Sequence, residues 1–104
     1  MSKTKIFNEI QALKRQLLPN EKVILFGSQA RGDARENSDW DLLVLTNKEK
    51  SSFNEDYDTY AYPFDEIGLK YNTLINAIVR SKKEWDSRPS LLKYNIEREG
   101  IEIV

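Results

Sequence analysis

The chain has 104 residues, 39% of them hydrophobic and 32% charged, which is enough for one hydrophobic core but too little for a catalytic domain plus an independent substrate domain. With 16 Lys and Arg against 17 Asp and Glu the net charge is −1, so no general basic field exists to hold a nucleic-acid backbone, and DNA or RNA binding is not expected. The absence of cysteine removes disulfides and thiolate ligands, and the absence of histidine removes imidazole chemistry and His-ligated zinc.

At the N-terminus, Met1 to Glu9 lacks the uninterrupted apolar segment of a signal peptide, and no stretch approaches the length of a membrane span, so a cytoplasmic protein is expected. Ile6, Phe7, Ile10, Leu13, Leu17 and Leu18 recur at helical spacing until Pro19-Asn20 stops them, which predicts an amphipathic helix. Lys22 to Phe26 is a β-branched and apolar run ending at Gly27, the pattern of a buried strand that delivers a turn. Trp40 to Leu45 reads as a second strand.

After the polar stretch Thr46 to Ser52, the segment from Phe53 to about Lys70 has mixed helical spacing with Pro63 inside, which predicts a helix bent or interrupted there. Tyr71 to Val79 reads as a third strand, and Lys82 to Trp85 as a short helical or turn segment. A last helix is expected over Ser90 to Glu99, starting after Pro89 and closed by Gly100, with Ile101 to Val104 as a tail or edge strand. No repeat or linker divides the chain, so residues 1–104 are read as a single α/β (α+β) domain with a small mixed β-sheet packed with helices.

The chemistry concentrates between the first two strands. Gly27 lets the backbone approach a ligand, Ser28 supplies a hydroxyl for a phosphate oxygen, and the residues that follow can turn helically and offer free N–H groups to an anion. Arg31 adds a fork of donors, although Asp33, Arg35 and Glu36 also offer it surface ion pairs. After Ser28 ten residues intervene before Asp39, Trp40 and Asp41. Side chains two apart on a strand share a face, so the two carboxylates should project together while Trp40 turns into the core. Adjacent carboxylates repel, and a hard divalent cation relieves that repulsion; Mg²⁺ typically uses one or two carboxylates plus substrate phosphates.

The stretch LFGSQARGDARENSDWDLLVL resembles the core motif of the DNA polymerase β-like nucleotidyltransferase superfamily: Gly-Ser, ten residues, Asp-x-Asp. The short length and the Ala30 to Asp33 and Ser38 to Asp41 details are similar to the minimal nucleotidyltransferases, including antitoxin-type members. The resemblance implies a nucleotidyltransferase (polymerase β-like) fold, with Asp39 and Asp41 as catalytic metal ligands for Mg²⁺ or Mn²⁺. It implies Gly27, Ser28 and Arg31 as nucleotide-binding residues and an NTP donor, ATP foremost. It also implies transfer of a nucleoside monophosphate to a hydroxyl acceptor, with a tyrosine of a HEPN-type toxin partner as one candidate.

One departure stands out. The family's third carboxylate, on a later strand, has no counterpart in Tyr71 to Val79, where Asn72, Thr73 and Asn76 are neutral; Asp65 or Glu66 could replace it only if that strand began earlier. The missing acid supports an alternative reading, a nucleotidyltransferase-fold antitoxin or binding protein that acts by stoichiometric complex formation.

Overall fold

The computed structural model describes residues 3–36 and 38–104. Met1 and Ser2, part of the stretch read for a leader, and Asn37, in the spacer between Ser28 and Asp39, lie outside the described residues.

Helix α1 (Lys3–Leu17) leads into strand β1 (Lys22–Phe26), a single turn of helix α2 (Ser28–Arg31) and strand β2 (Trp40–Thr46). A composite helix follows: α3 (Phe53–Asp56), a π-helical turn (Tyr57–Ala61) and α4 (Tyr62–Tyr71). Strand β3 (Ile75–Ser81), helices α5 (Lys82–Asp86) and α6 (Leu91–Glu99), and strand β4 (Ile101–Ile103) complete the chain. The sheet order is β3-β2-β1-β4. β1 is antiparallel to both neighbours, whereas β2 and β3 are parallel, joined by the helical crossover a parallel pair requires.

Alternation in β2 separates two apolar layers. Trp40, Leu42 and Val44 join Ile6 and Ile10 of α1 and Phe64 and Ile67 of α4 in the larger core. Leu43 and Leu45 face the other way, against Ile96 of α6 and Trp85 of α5. Each fully buried Leu or Val contributes roughly 1.5–3 kcal/mol by leaving water, so β2, covered on both faces, is the most firmly held strand. It is also the strand that carries the aspartates.

Two details differ from the sequence reading. Pro63 does not break the helix: the π turn precedes it and places it in the first turn of α4, where a missing N–H is tolerated. The third strand begins at Ile75 because α4 runs on to Tyr71 and is closed by Asn72 in the left-handed region at φ 53°. Gly100 ends α6 as the sequence reading had it, in extended geometry at φ −70°; glycine fits because a Cβ there would come within 2.5 Å of the Ile96 carbonyl oxygen. Leu17, counted on the apolar face of the first helix, is exposed, while Leu18 is buried. The terminal residues form a true edge strand beside β1.

Candidate functional site

β1 ends where β2 begins, and their antiparallel register sets Phe26 opposite Asp41. The next residue, Gly27, turns the chain at φ 76° and ψ −160°, a conformation available essentially to glycine alone. A Cβ on Gly27 would lie 2.4 Å from Asp41 Oδ2, so the turn backbone rests directly against that carboxylate. The two halves of the motif are thus in contact, as their spacing requires.

Past Gly27, the amides of Ala30 and Arg31 both donate to the Gly27 carbonyl at 3.1 Å, and Gly32, at φ 83°, closes the turn with its amide on the Ser28 carbonyl. This geometry aims the leading amides of the turn, at Ser28 and Gln29, away from the helix body, as at any helix start. Gln29 holds the return of the loop through a 3.2 Å bond from Nε2 to the Ser38 carbonyl.

Asp39 and Asp41 do share a face. The proof is Asn76 on β3, in register with Asp41, whose Nδ2 lies 3.4 Å from Asp39 Oδ2 and 3.3 Å from Asp41 Oδ1. Trp40 between them is buried in the larger core, as its alternation demands. The donor set fits a hard divalent cation: two converging carboxylates, a neutral amide beside them, and a glycine turn whose backbone packs against Asp41. Among the described residues no third acidic side chain joins the pair.

The position expected of a third carboxylate is therefore held by Asn76. Asp65 and Glu66 sit on α4, whose buried side chains pack into the opposite layer, and the Asp65 carboxylate accepts the Tyr57 hydroxyl. Neither supplies the missing acid. The sequence singled out Asn76 only as one of three neutral residues; strand pairing chose it.

Arg31 is engaged within the chain, its Nε 3.1 Å from Asp33 Oδ2 and its NH1 3.1 Å from Glu99 Oε1. Hydrogen bonding to Asp33, then its charge, with Glu99 adding to both, raises the guanidinium pKa above its ordinary value, so Arg31 is a permanent cation tying the motif turn to the end of α6.

The profile of the nucleotidyltransferase domain matches residues 6–103, nearly the whole chain. The chain belongs to this family. Two Methanocaldococcus jannaschii proteins are similar to this nucleotidyltransferase domain, both carrying the name "Putative protein adenylyltransferase". One, MJ0604, is 38% identical over 68 residues, which cover 65% of this chain and 61% of the relative. The other, MJ0141, is 42% identical over 67 residues, covering 60% and 61%. The aligned stretch thus spans less than two thirds of each relative.

Among solved structures, the nucleotidyltransferase domain superposes on a toxin–antitoxin crystallised with AMP-PNP, with a TM-score of 0.67 at 19% identity, covering 94% of this chain and 72% of that one. A MntA-HpeT toxin–antitoxin with a tyrosine-to-alanine mutation gives 0.63 at 18% identity, covering 93% and 70%. At such identity these likenesses establish the fold: a mixed sheet with helices on both faces, as in the nucleotidyltransferases.

Proposed function

We propose that this chain transfers a nucleoside monophosphate, AMP from ATP, to a hydroxyl of a partner protein, a tyrosine of a helical HEPN-type toxin being the acceptor class the reading favours. The observation that carries it is the convergence of Asp39 and Asp41 against the Gly27 turn. The reading draws support from relatives named as protein adenylyltransferases and from a fold neighbour crystallised as a toxin–antitoxin with AMP-PNP. An ATP donor also suits a cytoplasmic protein.

In this reading Asp39 and Asp41 hold Mg²⁺ or Mn²⁺, which would neutralise phosphate charge and orient the triphosphate. Gly27 keeps the turn low enough for phosphate oxygens to approach, while Ser28 Oγ and the leading amides of the turn donate to them. Arg31 stands ready at the same turn, exchanging an intrachain carboxylate for phosphate. The acceptor oxygen forms a bond to the α-phosphorus, the bond from that phosphorus to the bridging oxygen breaks, and pyrophosphate leaves. The Asn76 amide is too weak a base to take the acceptor's proton, which leaves to water or to the Asp39 and Asp41 carboxylates beside it.

Asn76 also supports a second reading, in which the chain binds nucleotide and partner but turns over slowly and neutralises by complex formation. Incubation with α-labelled ATP, Mg²⁺ and the product of the adjacent gene separates the two. Label on the partner, lost in Asp41→Asn, establishes the transferase; a stable complex without label establishes the binder; neither label nor complex removes both.

A further inference from the structure

The edge of the sheet next to the carboxylate pair is open. The Trp40 amide donates to the Leu74 carbonyl at 2.9 Å, and Trp40 pairs in parallel register with Ile75. Alternate residues of a parallel strand turn their N–H and C=O to the same side, so Asn76, Ile78 and Arg80 bond to β2 while Ala77 and Val79 point outward. Two contacts fit this phase. The Ser81 amide donates away from β2 to Ser51 Oγ at 2.8 Å, and Arg80 NH1 folds back onto the Val79 carbonyl at 2.8 Å. The Ala77 amide and carbonyl and the Val79 amide have no partner among the described residues.

This edge forms the floor of an open cleft of about 960 Å³. Phe53, 87% exposed, and Tyr57 make one wall, and Trp85, Pro89 and Leu92 the other. An uncovered strand edge between two apolar walls is the geometry of strand addition, in which backbone bonds give affinity and alternate side chains fill the two sides. Charge narrows the choice of occupant. Arg80 and Arg88 line the cleft without an ion pair among the described residues. Of the acids there, Asp56 is taken by Lys48 at 2.6 Å and Glu84 accepts the Ser51 amide at 2.7 Å, although Glu84 also feels Arg80. With Asp56 neutralised by Lys48, Arg80 and Arg88 face the single negative charge of Glu84, and the cleft keeps one positive charge in excess.

We infer that β3 receives an extended, acidic segment of a partner polypeptide, which adds as a fifth strand over Ala77–Val79, sets alternating side chains against the two apolar walls and places carboxylates on Arg80 and Arg88. Because Asn76, which touches both aspartates, immediately precedes this edge, the docked segment runs toward the candidate site. The inference deepens the protein-acceptor reading but concerns binding alone, and its test contains no nucleotide, so loss of transfer and loss of docking are separately visible.

The test uses the full chain, isotopically labelled, with three hexapeptides alternating valine with glutamate, glutamine or lysine. Binding is read from amide hydrogen exchange by NMR. The glutamate peptide should slow exchange at Ala77 and Val79 by at least about tenfold at saturation, with glutamine weaker and lysine weakest. Arg80→Glu should reverse that order, and N-methylation of alternate peptide amides should abolish protection while leaving the protein unchanged. Failure of all three peptides to protect these amides, equal binding of the lysine series, or protection that grows with chain concentration alone, marking self-association, would overturn the proposal.

Discussion

The Gly27 backbone lies so close to Asp41 that a methyl group on Gly27 would sit 2.4 Å from the carboxylate oxygen Oδ2. Gly27→Ala must therefore push Asp41 aside as well as strain the turn. Strain alone should lower stability by about 1–3 kcal/mol, and displacement of the carboxylate should reduce nucleotide transfer by on the order of 10²-fold. Gly32→Ala is the control: φ there is also positive, at 83°, but a Cβ meets nothing within 4 Å. It should cost about 1 kcal/mol and leave transfer intact. Thermal melts with label transfer on both variants decide whether the Gly27 contact or turn strain governs activity.

Asn76→Asp restores a third acid in register with Asp41. With a base available to the acceptor hydroxyl, transfer should rise by on the order of 10²-fold at neutral pH. Three carboxylates also repel, so the variant should melt below the parent in chelator and recover more Tm on Mg²⁺ addition. An unchanged rate and an unchanged Mg²⁺ response would place the reaction away from this trio.

For Arg31 the ion pairs are solvent-exposed on the Asp33 side, and exposed pairs contribute little to folding. Arg31→Ala should leave Tm nearly unchanged while raising the KM for ATP several-fold. A fall in Tm with KM intact would make Arg31 a brace between the motif turn and α6.

Asp56 is a buried carboxylate that accepts from Lys48 Nζ at 2.6 Å and from the Ser52 amide at 2.7 Å. Burial raises its pKa, but the Lys48 bond, the Ser52 amide and the Lys48 charge outweigh it and hold the value below the ordinary 3.8. The folded value is thus depressed. Its stabilising contribution is complete above about pH 4 and is lost as pH falls through the depressed folded value. Asp56→Ala should cost about 1–3 kcal/mol at pH 7, with the gap to the parent narrowing below pH 4 in denaturant titrations.

Local patterns settled a large part of this molecule. A run of β-branched residues ending in glycine, and aspartates flanking a tryptophan ahead of Leu42 to Leu45, identified two strands, the turn between them and the shared face of Asp39 and Asp41, because strand periodicity is fixed by backbone geometry. The small mixed sheet was legible from the alternation of helices and strands, and the family from the resemblance carried by Gly27-Ser28 and Asp39-Trp40-Asp41 at their spacing. Pairing between distant segments was not legible. Only the tertiary fold put Asn76 beside both aspartates, sent Asp65 to the other layer with Tyr57, tied Arg31 to Glu99 and left the Ala77–Val79 edge open. Those outcomes depend on which strand neighbours which and in what register, and register is chosen by the packing of two apolar layers at once.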